Sequence, residues 1–160
     1  MSQDIYIARV FNAPPEQVYQ AFTDPDRLVQ WFGPDDCTVA RESIAIDPRV
    51  GGHLRFTMTG PGVDSSVEIV FTEVVENQLL AGDMEATAVP GEKAPLRMRL
   101  RFEFHDEGGG RTRLELSQGP FTTAWLGTGA RGGWESSFAK LDALHRRRNH
   151  STDSTNGDAR

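Results

Sequence analysis

At 160 residues, with 38% hydrophobic and 25% charged side chains, the chain has the size and composition of one globular domain able to bury a core. Its formal net charge of −6 and its pI near 5.2 argue against a nucleic-acid backbone or an anionic membrane surface as the main partner. No apolar run approaches the roughly 20 residues of a membrane span, and no signal-peptide pattern precedes Asp4-Ile5-Tyr6.

Cys37 is the single cysteine, so no intrachain disulfide forms and a reducing, cytoplasmic setting is expected. No helper histidine lies at a recognisable spacing from it, and it reads as a packing residue.

In chain order, Ile5, Ile7 and Val10-Phe11 predict an opening strand, which Pro14-Pro15 stops. Pro15 suits the first turn of a helix, where its missing N–H costs nothing, and Val18, Ala21 and Phe22 form that helix's apolar face. Asp24 reads as an N-cap with Pro25 behind it; Leu28, Trp31 and Phe32 give the second helix its buried side, and Gly33-Pro34 ends it. Strands are expected near 37–46, 52–59, 66–75 and 78–86, with turns at Asp47-Pro48 and Gly51-Gly52, at Gly60-Pro61-Gly62 and at Glu76-Asn77. Pro90-Gly91 through Pro95 reads as a surface loop.

The last third is the clearest. Leu96, Met98, Leu100, Phe102 and Phe104 alternate with Arg97, Arg99, Arg101 and Glu103, the period of a half-buried strand over 95–105. After Gly108-Gly109-Gly110, a flexible hairpin turn, Leu114 and Leu116 alternate with Arg113, Glu115 and Ser117 over 111–118. Trp134, Phe138, Leu141 and Leu144 then change the period to that of one long helix, whose start at Gly132-Gly133 is expected to approach the sheet closely. From Asn149 the chain has no apolar residue larger than Ala159, so 1–148 is expected as one domain and 149–160 as a disordered tail. A curved antiparallel sheet with one apolar face, gripped around one long helix, is an α+β design that can enclose a cavity.

Here the residues carry a family resemblance. The run Ile7-Ala8-Arg9-Val10-Phe11-Asn12-Ala13-Pro14-Pro15 through Asp24-Pro25 resembles the opening of the SRPBCC, or START-like, superfamily. Leu28-Val29-Gln30-Trp31-Phe32-Gly33-Pro34, Arg49-Val50-Gly51-Gly52, Phe71-Thr72-Glu73-Val74 and Gly133-Trp134-Glu135 narrow it to the branch named after the activator of the ninety-kilodalton heat-shock protein's ATPase. The resemblance spans about residues 4–147. It implies a helix-grip fold with two short helices after the first strand, and a space between sheet and helix that holds hydrophobic, amphipathic or lipid ligands. In some relatives that space hosts cyclase or aromatase-type reactions. Many relatives carry a histidine near the position of Gln118 and another before the Gly-Trp pair; here Gln118 and Gly129-Ala130-Arg131-Gly132 stand instead, which removes the acid–base role those histidines would support.

The residues themselves show little catalytic machinery. His53, His105, His145 and His150 are scattered, none at a metal-ligand spacing from Cys, Asp or Glu, and no metal or other cofactor is expected. Ser136-Ser137 lacks the strand-turn-helix setting of a hydrolase nucleophile and reads as ordinary helix. Glu103 and Glu115 lie out of phase with the apolar face and can pair with arginines across strands on the solvated side. Glu68, Asp83 and Glu85 lie on strands without clean alternation, and one of them facing inward would supply a carboxylate of raised pKa. Gln118 continues the Leu114, Leu116 face toward the cavity, where a ligand or the backbone at the strand end could satisfy its amide.

The expected ligand-binding set is Trp31, Phe32, Phe56, Met58, Met84, Met98, Phe102, Gln118, Trp125, Trp134 and Phe138, around a cavity on the order of 300–1,000 Å³ if it takes a drug-sized molecule. Three readings follow: a non-enzymatic binder of a small hydrophobic or amphipathic molecule, which the residues favour; an enzyme of the cyclase or dehydratase type; and a co-chaperone or protein-interaction module. A monomer or a homodimer accommodates each of them.

Overall fold

The computed structural model describes residues 4–33, 37–88 and 93–158, apart from the side chains of Val63, Trp125 and 146–158. Pro34, the Pro90-Gly91 turn and the side chains of Trp125 and His150 therefore lie outside the described residues. The order is β1 (Ile5–Phe11), α1 (Pro15–Thr23), α2 (Pro25–Leu28), β2 (Thr38–Val39), β3 (Ala45–Ile46), β4 (His53–Gly60), β5 (Val63–Val75), β6 (Leu79–Ala86), β7 (Leu96–Gly108), β8 (Arg111–Gly119) and α3 (Ala124–Asp158).

All strand pairings are antiparallel, in the order β1-β8-β7-β6-β5-β4-β2, with β3 also on β4. The sheet is a curled half-barrel and α3 crosses its concave face, as a helix-grip architecture requires. The curl has a local cause. The β5–β6 register shifts between Phe71 and Glu73, a bulge that bends the strand. Opposite it sits Gly82, where an added Cβ would fall 2.2 Å from the Val70 carbonyl oxygen, so only glycine lets the two backbones come so close.

Alternation along β7 sets the inside and the outside. Met98, Leu100, Phe102 and Phe104 are buried, as are Leu114 and Leu116 on β8. The arginine side chains between them remain accessible, from 81% for Arg97 to 42% for Arg113. The register Leu100↔Gln118, Phe102↔Leu116 and Phe104↔Leu114 puts both apolar rows on one face.

The two short helices form as their sequences dictate. Pro15 opens α1, and the Asp24 carboxylate caps α2 by accepting from the Asp26 N–H at 2.9 Å. Their aromatic residues join those of the sheet: Phe22 lies 4.8 Å from Trp31 and 4.9 Å from Phe102 between ring centroids, and Tyr19 meets Phe104 edge-on.

Two expectations change. The strand expected over 37–46 is broken into β2 and β3 by a 3-10 turn at Arg41–Ser43, because the Ser43 hydroxyl and N–H both turn back to the Ala40 carbonyl. α3 begins at Ala124, ten residues before Trp134, so the glycines at 127, 129, 132 and 133 lie inside the helix. An added Cβ at Gly132 would meet nothing within 4 Å, so close approach to the sheet is not what that glycine provides. The helical backbone of α3 extends to Asp158.

The face assignment predicts a clear asymmetry. Leu116→Ala, at a side chain with 0% exposure, should cost about 2–5 kcal/mol in urea unfolding. Arg97→Ala should stay within about 0.5 kcal/mol.

Candidate functional site

Between α3 and the sheet lies a pocket of about 210 Å³, smaller than a drug-sized cavity. Phe32, Phe56, Met58, Val67 and Met84 wall one side; Gly129, Ala130, Gly133 and Trp134 of α3 wall the other. The two helix glycines contribute no side chain, which leaves room where α3 passes over the sheet.

Trp134 anchors this arrangement. Its ring stacks on Phe138 at 5.6 Å and meets Phe32 at 5.6 Å and Phe102 at 5.5 Å edge-on. Of the expected set, Phe32, Phe56, Met58, Met84, Gln118 and Trp134 line the pocket directly. Trp31, Met98, Phe102 and Phe138 are packed among the buried core residues rather than along the lining. Trp31 is fixed there by its indole N–H, which donates to the Ala21 carbonyl at 3.0 Å.

Gln118 is the pocket's polar pole. The Trp134 Nε1–H donates to its Oε1 at 2.7 Å. An indole can only donate, so that end of the amide is the oxygen, and the NH2 faces the other way. It meets Met84 Sδ at 3.3 Å and Met98 Sδ at 3.2 Å. Register explains the meeting: Met84 pairs with Met98, and Leu100 pairs with Gln118, so the two thioethers and the amide are neighbours on the inward face. Bonding of this amide to the backbone at the strand end, one of the two sequence-level alternatives, is replaced by an indole and two sulfurs.

Sequence reasoning missed Ser137 and Lys140. Ser137 is one helical turn past Trp134 and buried; its hydroxyl donates to the Gly133 carbonyl at 2.9 Å and accepts from the Gly33 N–H at 3.1 Å. Lys140 Nζ donates to the Gly33 carbonyl at 2.5 Å. Gly33 has φ +103°, a conformation that side chains rarely adopt, so the loop after α2 can present both its N–H and its C=O to α3. This clamp holds Phe32 against the pocket. The i, i+3 spacing of Ser137 from Trp134 was the available signal.

The uncertain carboxylates all face outward. Glu68 pairs with Arg55, Asp83 with Arg99 at 2.6 Å and Glu85 with Arg97 at 3.0 Å, all across neighbouring strands. Arg101 and Arg113 instead bond to Glu103 and Glu115 two residues along their own strands, and reach Glu73 and Glu107. A hollow of about 510 Å³ on this side mixes Val70, Met84, Met98 and Pro120 with the partly exposed ion pairs of Asp83 with Arg99 and Glu85 with Arg97, and Glu68 stands at its wall. Among the described residues no cluster of His, Cys, Asp and Glu could hold a metal, and no helix is long and apolar enough to cross a membrane.

Two predictions arise here. Ser137→Ala should remove the partner of the Gly33 N–H and cost about 1–3 kcal/mol in chemical unfolding, while Gly33→Ala should be destabilising through its positive φ. On the outer face, the Tyr6 hydroxyl donates to Glu115 at 2.6 Å and, with Arg113 and His105 beside it, holds that carboxyl below its ordinary range. A lowered carboxylate pKa stabilises the fold above the ordinary carboxylate range, and that contribution is lost as pH falls through the lowered value. The stability gap between wild type and Tyr6→Phe should therefore be present at neutral pH and close on acidification below about pH 4, read as urea midpoints.

Residues 12–146 match the family model described as Activator of Hsp90 ATPase homolog 1-like protein. No curated protein matches the chain. Solved structures with the same fold include a protein from Chromobacterium violaceum (25% identity, 89% of this chain and 96% of that one, TM-score 0.76). An AHSA1 protein from Silicibacter pomeroyi is similar at 22% identity, covering 91% of this chain and 99% of that one with a TM-score of 0.76. A Mycobacterium smegmatis protein is similar at 23% identity, covering 89% and 90% with a TM-score of 0.72. The chain belongs to the Activator of Hsp90 ATPase homolog 1-like family.

Proposed function

From that membership and this pocket, we propose that the protein binds a small, largely apolar molecule between the sheet and α3 and holds it without chemical change. The observation that carries the reading is the composition of the pocket wall. Three aromatic side chains, two thioethers and an isopropyl group surround the space, and no ionisable side chain is among the described lining residues. Such a surface gains from excluding water and offers a ligand dispersion contacts on several sides.

An enzyme of the cyclase or dehydratase type would need a proton donor or acceptor at the reacting atoms. Glu68, Asp83 and Glu85 are engaged with arginines on the opposite face of the sheet, so no observation favours that alternative. The co-chaperone reading rests on the family's name alone. The large apolar side chains most exposed (Tyr6, Val10, Val50, Val70 and Val75) are spread over β1, β5 and a turn rather than gathered into a docking patch.

Tryptophan fluorescence tests the binding reading. In a background of Trp31→Phe and Trp125→Phe, the emission of Trp134 should shift on titration with p-xylene. Trp134→Ala should weaken p-xylene binding, followed by NMR, by about tenfold or more, a loss of about 1.4 kcal/mol. Unchanged affinity in the folded variant places the ligand elsewhere.

A further inference from the structure

Resting on that reading, we infer that the pocket selects a neutral ligand of single-ring size carrying one hydrogen-bond acceptor, a ketone, aldehyde, ester or amide oxygen, which the Gln118 NH2 recognises.

Size comes first. An apolar cavity of about 150 Å³ accepts benzene, so the 210 Å³ here holds on the order of eight or nine heavy atoms, one ring with a short substituent. The flat walls of Phe32, Phe56 and Trp134 suit a planar ring.

Polarity comes from a count of donors. Among the described lining residues, Gln118, Ser137 and the Trp134 indole N–H supply the polar side-chain groups. The Ser137 hydroxyl is spent on Gly133 and Gly33. The one donor of the Trp134 indole is spent on the Gln118 oxygen. What remains is the Gln118 NH2, 4% exposed with its residue and held against two thioether sulfurs, which are weak acceptors. A carbonyl oxygen is a far better acceptor than either sulfur, and it would complete a chain from indole N–H to amide oxygen and from amide N–H to ligand.

Charge excludes the acids. Among the described residues no lysine, arginine or histidine lines the pocket, so a carboxylate would lose its hydration and gain no counter-charge from them. Nor does any described aspartate or glutamate line it to pair with a ligand ammonium.

The test compares three probes of one shape: acetophenone, ethylbenzene and benzoate, followed by the side-chain NH2 resonances of Gln118 in ¹⁵N-labelled protein. Acetophenone should move those resonances and ethylbenzene should not, although both bind. Benzoate at pH 7 should bind at least about tenfold more weakly than acetophenone. In the double variant Gln118→Leu with Trp134→Phe, which removes both polar partners together and leaves no orphaned indole N–H, the ratio of acetophenone to ethylbenzene affinity should fall about five- to tenfold. Gln118→Met is the second variant, for use if the double variant does not fold, and should shift the ratio the same way. An unchanged ratio, or benzoate bound as tightly as acetophenone, overturns the selectivity while the pocket reading stands. Failure of both neutral probes to bind the wild type overturns the two together.

Discussion

The pairing of β7 with β8 is the constraint on which the interior depends. Side chains on a strand alternate strictly between faces, so a slip of one residue would carry Arg97, Arg99 and Arg101 inside and put Met98, Leu100 and Phe102 in water. That penalty fixes the register, which pairs Leu100 with Gln118 and brings the Gln118 amide within reach of Met98 two residues away on the same face. The amide can then reach the indole of Trp134, and the indole's position over Phe102 sets how α3 crosses the sheet. A pattern that exists to keep arginines wet thus ends by placing a polar amide in the pocket.

Packing on the two sides of the sheet follows different physics. Inside, rings from five elements meet edge-on or stacked, and the cost of an error is a void or an orphaned polar atom. Outside, arginines and carboxylates pair at the surface, where water already solvates both charges and each pair contributes little. The outer lattice therefore serves solubility and register more than stability. Any substitution that matters to ligand binding should be sought on the concave side.

How much was legible in the sequence depended on whether a property is local. Alternation from Leu96 to Phe104, the cap at Asp24 and the stripe from Trp134 to Leu141 are local, and the faces and elements read from them are the observed ones. The helix-grip architecture was legible through the family resemblance. The outward direction of Glu68, Asp83 and Glu85 was not, because β6 opens on Leu79-Leu80-Ala81-Gly82 without alternation and β5 carries a bulge between Phe71 and Glu73. Nor was the start of α3, since glycines at 127, 129, 132 and 133 are poor helix formers and read as a joint. The Gly33 clamp joins residues 104 positions apart, a relation no local pattern contains.

The neighbour of β8 on its free side is β1, the first strand of the chain: Ile5 lies opposite Gln118 and Phe11 opposite Thr112. A ribosome adds about 5–20 residues per second. The hundred residues between Phe11 and Arg111 therefore separate the birth of one strand from that of its partner by about 5–20 s. Over that interval the aromatic face of β4 to β7 has neither its last neighbours nor the helix that will cover it, and Phe11 has no place to go. Long-range pairing of this kind is slow to form and exposes apolar surface while it waits. For the nascent chain, the aromatic interior is a hazard until Phe138 and Leu141 of the covering helix have been made.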